Sequence, residues 1–482
     1  MNFRDKHKIL QDKLQSLKGR PLFYGCEVVI RPKPKLPALK KPISNFKSTP
    51  QSVELVSSVP TVEPVALPKT VVETVELALP SIDIPRISEI KLAAEPYISE
   101  IDITNRKVYK RGDQIKGRKI KMSFIGLDIS TKTIVAAFKN GKSDTEYITE
   151  INGYWPIEKA TPFIENMLSD GKKKRSDGTE RPARFIKLED GRLIILGRDA
   201  EEFAYSMNDT LRRPMAEGGV TPDEDAMTVL ASIVHGILET AEKDIGKFDS
   251  ELKICYCTTA NAVNKESNID YHKRVMDMIL SSYESKSKLK FDSIKESHAI
   301  VNNMSPDGTG IGISWGAGTV TVSYVKYGME VYSFCWVGSG DWIDDAVARR
   351  HGYDPDRSKL KTKTSKETPT TVSKRKMQID LTPGSEPSDR VGLDIVVHCD
   401  VLISHVVEGI VTGFRENEAQ ARIDQGINIY MAGGTASPTG FVERVEKAFE
   451  KFDLPFEIGQ IVRHDNPLLC VAEGLLKAAE IF

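Results

Sequence analysis

The chain has 482 residues, with 67 Lys plus Arg against 68 Asp plus Glu and a formal net charge of -1. This balance supplies no overall field toward nucleic acid, so no nucleic-acid partner is expected, and the length exceeds what one small core needs. Cys26, Cys255, Cys257, Cys335, Cys399 and Cys470 show neither CxxC spacing nor a paired framework, which points to a reducing compartment. No apolar run is expected to reach membrane-spanning length, and MNFRDKHKIL lacks the apolar core of a signal peptide.

MNFRDKHKILQDKLQSLKGR places Phe3, Ile9, Leu10, Leu14 and Leu17 near one helical face among basic residues. A short helix of this kind can lie on an anionic membrane or pair with another helix. From Arg31 to Arg86 the chain is proline-rich and has no glycine, which predicts an extended, disordered tail. Residues 1–118 are therefore expected to be an extension, and the folded part to run from about Lys119 to Phe482.

That folded part opens with KMSFIGLDI, TIVAAFKN and EYITEI as strands, Asn140-Gly141 supplying a hairpin turn. LSDGKKKRSDGTERPA is an exposed loop, and DEDAMTVLASIVHGILETAEKDI a long helix with an acidic first turn. LKICYCTT is a strand with Cys255 and Cys257 on one side, both read as core packing, and NIDYHKRVMDMILSSY is a helix. A second half repeats the grammar: IGISWGAGTVTVSYVKYG as two strands, DWIDDAVARRHG as a helix, and a polar stretch from Asp354 to Asp389 that is a small excursion or a flexible insert. The chain closes with the helix LDIVVHCDVLISHVVEGIVTGF, the strand GINIYMAGG, the helix FVERVEKAFEKF and a last helix in NPLLCVAEGLLKAAEI. Asp465 or Asn466 is the expected N-cap of that last helix.

FIGLDISTKTIVAAFKNGK and IGISWGAGTVTVSYVKYGM share a pattern: apolar strand, small-residue turn with hydroxyls, second strand, glycine turn. A third glycine turn lies in YMAGGTASPTGF. Two facing hairpins can clamp a polyphosphate through backbone N–H groups, and glycine lets the backbone approach closely.

With these segments in this order, the chain resembles the actin, Hsp70 and sugar-kinase superfamily, closest to the MreB-like bacterial actins. FIGLDISTKT looks like the family's first phosphate loop, ISWGAGTVTVS its second, KESHAIVNNM the connecting helix, and MAGGTASPTGF the adenosine loop. Arg213-Pro214-Met215 and Gly340-Asp341 with Asp344 resemble segments of MreB-like proteins in particular. The resemblance implies an α/β, actin-like ATPase fold of two lobes, each a duplicated mixed sheet flanked by helices. The lobes would be 119–309, with a small subdomain at about 155–214, and 310–482, with a small insert at about 353–395. It implies ATP and Mg²⁺ in the cleft, Asp128 holding the metal through water and Glu296 orienting or deprotonating the attacking water. Ser130, Thr131 and Lys132 would line the phosphates from one side, and Gly316, Ala317, Gly318 and Thr319 from the other. Gly340 and Asp341 would border the site, Gly433, Gly434 and Thr435 would meet the nucleoside, and Lys361 would reach the base or ribose.

Two positions depart from the family. Ser314 stands where the second loop usually carries an acid, and Ser130 where the first loop usually carries glycine. A serine is a poor base, and one lost preorganised charge lowers a rate on the order of 10²–10³-fold, so nucleotide binding is expected with slow hydrolysis. The resemblance implies an MreB-like cytoplasmic filament protein, self-associating, with the N-terminal extension as a tether to a membrane or protein partner. An Hsp70-like chaperone or enzyme-reactivating ATPase without a substrate-binding domain is the alternative, and a small-molecule kinase a third.

Overall fold

The structure, a computed structural model, describes residues 122–482 apart from 140–143, 172–179, 208, 224, 246–250, 266–268, 286, 356–366, 386 and 418–425. The expectations for residues 1–118, for the Asn140-Gly141 turn, for most of the basic loop and for Lys361 therefore lie outside the described residues.

Two five-stranded sheets organise the chain. The first half contains β1 (Met122–Ile129), β2 (Thr133–Lys139), β3 (Thr145–Ile151), β4 (Tyr154–Ile157), α1 (Pro162–Ser169), β5 (Phe185–Lys187), β6 (Leu193–Leu196) and α2 (Gly197–Ser206). It continues with β7 (Met215–Ala216), β8 (Gly219–Val220), α3 (Ala226–Ile245), β9 (Glu251–Thr258), α4 (Ile269–Ser281) and β10 (Lys288–Lys295), and α5 (Glu296–Met304) leads on. The second half contains β11 (Gly310–Trp315), β12 (Thr319–Lys326), β13 (Met329–Val337), α6 (Gly340–Arg350), α7 (Pro369–Lys376) and α8 (Arg390–Glu416). It ends with β14 (Ile427–Ala432), α9 (Phe441–Phe449), β15 (Ile458–Arg463) and α10 (Cys470–Ile481).

The strand orders are β10-β9-β1-β2-β3 and β13-β12-β11-β14-β15, with a three-stranded sheet β4-β6-β5 and the hairpin β7-β8 beside them. In each large sheet a hairpin, β1-β2 or β11-β12, has its first strand paired in parallel to a later strand, β9 or β14. The repeat seen in the sequence is thus one topology used twice. Because helices cover both faces, the central strands read as nearly unbroken apolar runs. Ile134, Ala136 and Phe138 of β2 join a cluster with Leu230 and Val234 of α3, while Val135 and Ala137 pack with Ala472 and Leu476 of α10.

Three expectations need correction. The stretch from Asp354 to Asp389 holds an ordered helix: Thr368 caps α7, Val372 is buried, and Lys376 pairs with Asp344 at 2.7 Å. An apolar run of spanning length does exist in α8 by length and composition, but Ile395, Cys399, Leu402, Val406 and Ile410 are buried in the second core. The last helix starts at Cys470 with Leu469 at its N-cap and no side-chain cap, so neither Asp465 nor Asn466 serves there.

Candidate functional site

Strand register builds the centre of the site. Leu127 pairs with Tyr256 on β9, and Cys257 of β9 pairs with Ile294 on β10. Three neighbouring parallel strands therefore end side by side, and their next residues are Asp128, Cys257 with Thr258, and Glu296 at the start of α5. The carboxyl ends of strands are where open α/β sheets gather ligand-binding groups. Asp128 and Glu296 are 5% and 6% exposed, and one ligand atom each from Asp128, Cys257 and Glu296 lies within 4.8 Å of the others.

The partners inside this cluster are hydroxyls and a thiol. Ser130 Oγ donates to Asp128 Oδ1 at 2.7 Å, Cys257 Sγ donates to the same oxygen at 3.2 Å, and Ser314 hydrogen-bonds Glu296. Burial pushes Asp128 up to about 6, against the two hydrogen bonds. Burial, and then the charge of Asp128, push Glu296 up to about 8. At neutral pH the bare pair thus holds a proton. Burial and the two carboxylates also push the Cys257 thiol well above its ordinary value. Oxygen donors so placed fit a divalent cation such as Mg²⁺, with Asp128 as the group that would hold it and Glu296 beside it.

The first turn closes through Ser130 N–H to Thr133 O at 3.0 Å, and Asn152 Nδ2 donates to Ser130 O at 2.9 Å. Opposite it, Gly316 N–H donates to Thr319 O at 2.9 Å to close the turn between β11 and β12. The two turns come close: a Cβ on Gly318 would stand 2.8 Å from Thr131 Oγ1, so glycine is what permits the approach. Glu217 of the β7-β8 hairpin also borders Gly318, its backbone N–H 3.1 Å from where that Cβ would be. Thr131 and Thr319 are buried.

The adenosine-loop candidates meet this second turn. Thr435 Oγ1 donates to Gly316 O at 2.7 Å and Ser339 Oγ to the same oxygen at 2.8 Å. Gly433 has φ +97°, and a Cβ there would collide with the Trp315 backbone. Gly434 begins a short 3₁₀ turn running to Ala436. Asp341 N–H donates to Ala317 O at 2.8 Å, and Gly340 opens α6 beside it.

Lys132 neither leaves for solvent nor stays within its turn. Its Nζ donates to Ser373 Oγ of α7 at 2.9 Å and lies 3.7 Å from Asp341, which also pairs with Arg213. Lys132 and Arg213, from the first half of the chain, are thereby joined to Asp341 and Ser373 of the second. Lys376 Nζ donates to Gly340 O at 2.6 Å and fixes α7 against the start of α6.

Sequence reasoning missed Cys257 and Lys376. Cys257, read as core packing, lies in the acid cluster; its position at a strand end was visible, but its pairing partner was not. Lys376 lay in a segment read as flexible, although Thr368-Pro369 is a helix-start signal.

The sequence profile of the Volactin family matches residues 122–479. The chain matches no curated protein. Among solved structures, a MamK double helical filament is 15% identical with a TM-score of 0.52, covering 75% of this chain and 100% of that one. A non-polymerising MamK mutant bound to AMPPNP is 14% identical with a TM-score of 0.45, covering 74% of this chain and 99% of that one. The ethanolamine utilization protein EutJ from Carboxydothermus hydrogenoformans is 12% identical with a TM-score of 0.41, covering 74% and 89%. The first of these similarities establishes the actin-like fold.

Proposed function

The chain belongs to the Volactin family, and on that footing we propose that it binds ATP with Mg²⁺ between its two facing hairpin turns. It hydrolyses the nucleotide slowly and assembles into nucleotide-dependent filaments in the cytoplasm, with residues 1–118 as a tether to a membrane or protein partner. One observation carries the reading. A buried cluster of two carboxylates and a thiol at three strand ends lies beside a turn, Ser130 to Lys132, that meets a second glycine turn, Gly316 to Thr319, at Thr131 and Gly318.

Asp128 would hold the cation, which when bound would supply charge neutralisation for the phosphates. Backbone N–H groups of the two turns face those phosphates, and Gly433, Gly434 and Thr435 border the nucleoside. Glu296 orients the attacking water and accepts its proton only once its own proton has left. Ser314 donates a hydrogen bond to Glu296 and adds no charge, so hydrolysis is slow. MamK, whose fold this chain shares, is described as a double helical filament, which makes assembly the part of the reading to test first.

The test is sedimentation of the full-length protein with ATP, ADP or no nucleotide, negative-stain microscopy of each pellet, and titration with a fluorescent ATP analogue. ATP-dependent polymers that Asp128→Asn loses are the expected result. Firm nucleotide binding without polymers would favour the chaperone or reactivase class. Absence of nucleotide binding in the folded protein would overturn the reading.

A further inference from the structure

Cys257 is the one member of the strand-end cluster that nucleotide binding does not use. Mg²⁺ takes oxygen ligands and ignores sulfur, whereas zinc-class cations combine thiolate with carboxylate. We propose that Asp128, Cys257 and Glu296 form a site for a thiophilic divalent cation of the zinc class, bound directly by one sulfur and two carboxylates.

The geometry is set by the sheet. The three residues come from the ends of adjacent strands, β1, β9 and β10, so backbone pairing rather than loop conformation fixes their spacing. Tetrahedral zinc with bonds of ~2.0–2.3 Å needs its donors about 3.5 Å apart. Here the donor atoms are all within 4.8 Å of one another, and Cys257 Sγ is 3.2 Å from Asp128 Oδ1. The three side chains are buried, so the ion would displace little water from its ligands.

Without a cation, burial and the two carboxylates keep Cys257 as a thiol, so the metal itself must displace the proton. Ile129 N–H already donates to Cys257 Sγ at 3.1 Å, a contact that strengthens when the metal takes the sulfur and the thiol proton is released to solvent. Ser130 and Ser314 hydroxyls orient the two carboxylates in the same way. Three protein donors leave a fourth position for water or another oxygen ligand. The ion would engage Asp128, which the nucleotide's cation needs, and Glu296, which the attacking water needs, so the two occupancies exclude each other.

The inference shares two residues with the nucleotide reading but not its test, which uses no nucleotide. Full-length protein, stripped with chelator and kept reduced without thiols, is titrated with Co²⁺ and then with Zn²⁺. A thiolate-to-cobalt charge-transfer band should saturate at about one equivalent and disappear when Zn²⁺ is added. Cys257→Ser should lose the band and Cys255→Ser, two residues earlier on the same strand, should keep it. X-ray absorption at the zinc edge of the wild-type protein should show one sulfur at ~2.3 Å with oxygen neighbours. A band undiminished in Cys257→Ser, absence of any band in the folded wild type, or a zinc shell without sulfur would overturn the proposal.

Discussion

Two carboxyl groups buried against each other make the cation-free protein lose stability as pH rises, and Glu296→Gln should remove most of that loss. Asp128 and Glu296 are raised in the folded state, to about 6 and about 8, above ordinary values of 3.8 and 4.5. Between those limits the folded chain holds protons that the unfolded chain has released, so stability is fullest below about pH 4, falls toward about pH 8 and then levels. For Glu296 the rise from 4.5 to about 8, at ~1.4 kcal/mol per unit, is on the order of 4–5 kcal/mol. Part of it is repulsion shared with Asp128, so the variant should recover about 3 kcal/mol at pH 8 and almost nothing at pH 4. Glutamine keeps the length of the side chain, can accept the Ser314 hydrogen bond, and can donate to Asp128. Urea unfolding of the full-length protein in chelator, without nucleotide, at several values from about pH 4 to about pH 8 measures it. If the midpoints of wild type and variant run parallel across that range, the two carboxylates do not share one dry site.

Ser314→Asp should raise ATP turnover on the order of tenfold or more in a phosphate-release assay, since it restores a charge beside Glu296; an unchanged rate would mean that the missing acid is not what limits hydrolysis. Gly433→Ala should cost more than ~2 kcal/mol, because φ is +97° and the new methyl meets the Trp315 backbone. Thermal unfolding checks it, and an alanine variant as stable as wild type would show that this loop is not held as described. His464 lies 3.2 Å from Glu473, whose carboxylate also accepts from Tyr147 Oη and Asn303 Nδ2, each at 2.6 Å. Hydrogen bonding to His464 pulls Glu473 down to about 2, and the same contact raises His464. The pair therefore stabilises most between about pH 5 and 6.5, loses its His464 share as pH rises through the raised value, and loses its Glu473 share as pH falls toward 2. His464→Gln should flatten the decline in melting temperature above neutrality, and an unchanged slope would place its cause elsewhere.

The duplicated hairpins were legible because β1, β2, β11 and β12 are buried on both faces and so read as apolar runs with turn residues between them. Helix α3 was legible through its 3,4 repeat, and α5 began on the residue that the resemblance had singled out, Glu296. What sequence could not supply was the lateral order of β10, β9 and β1. Parallel neighbours are joined by long crossovers, and nothing local records which strand will lie beside which. Cys257 is the case in point: alternation within LKICYCTT showed a buried thiol, and only the pairing of Leu127 with Tyr256 brings it to Asp128. Helix α7 was hidden for a different reason. Its Lys/Thr/Ser composition is poorly apolar, and it is held by tertiary contacts, Lys376 to Asp344 and to Gly340 O.

Ser314 and Cys257 have one physical consequence between them. An acid at position 314 would have put a third carboxylate against Asp128 and Glu296, whose joint ionisation burial and mutual repulsion already oppose. Ser314 places a hydroxyl donor on Glu296 instead, and Cys257 places a thiol donor on Asp128. Each donor satisfies an oxygen without adding charge, which lets the pair stay closed in the absence of any cation. The same economy weakens the pull on a hard, strongly hydrated ion, because fewer formal charges face it. A cation able to bond sulfur meets no such handicap, since it gains the thiolate that Mg²⁺ cannot use. Slow turnover with Mg²⁺ and a preference for a softer ion are therefore coupled expectations. Substituting Ser314 by Asp should shift both, raising turnover while weakening the sulfur-dependent cobalt signal relative to Mg²⁺ competition.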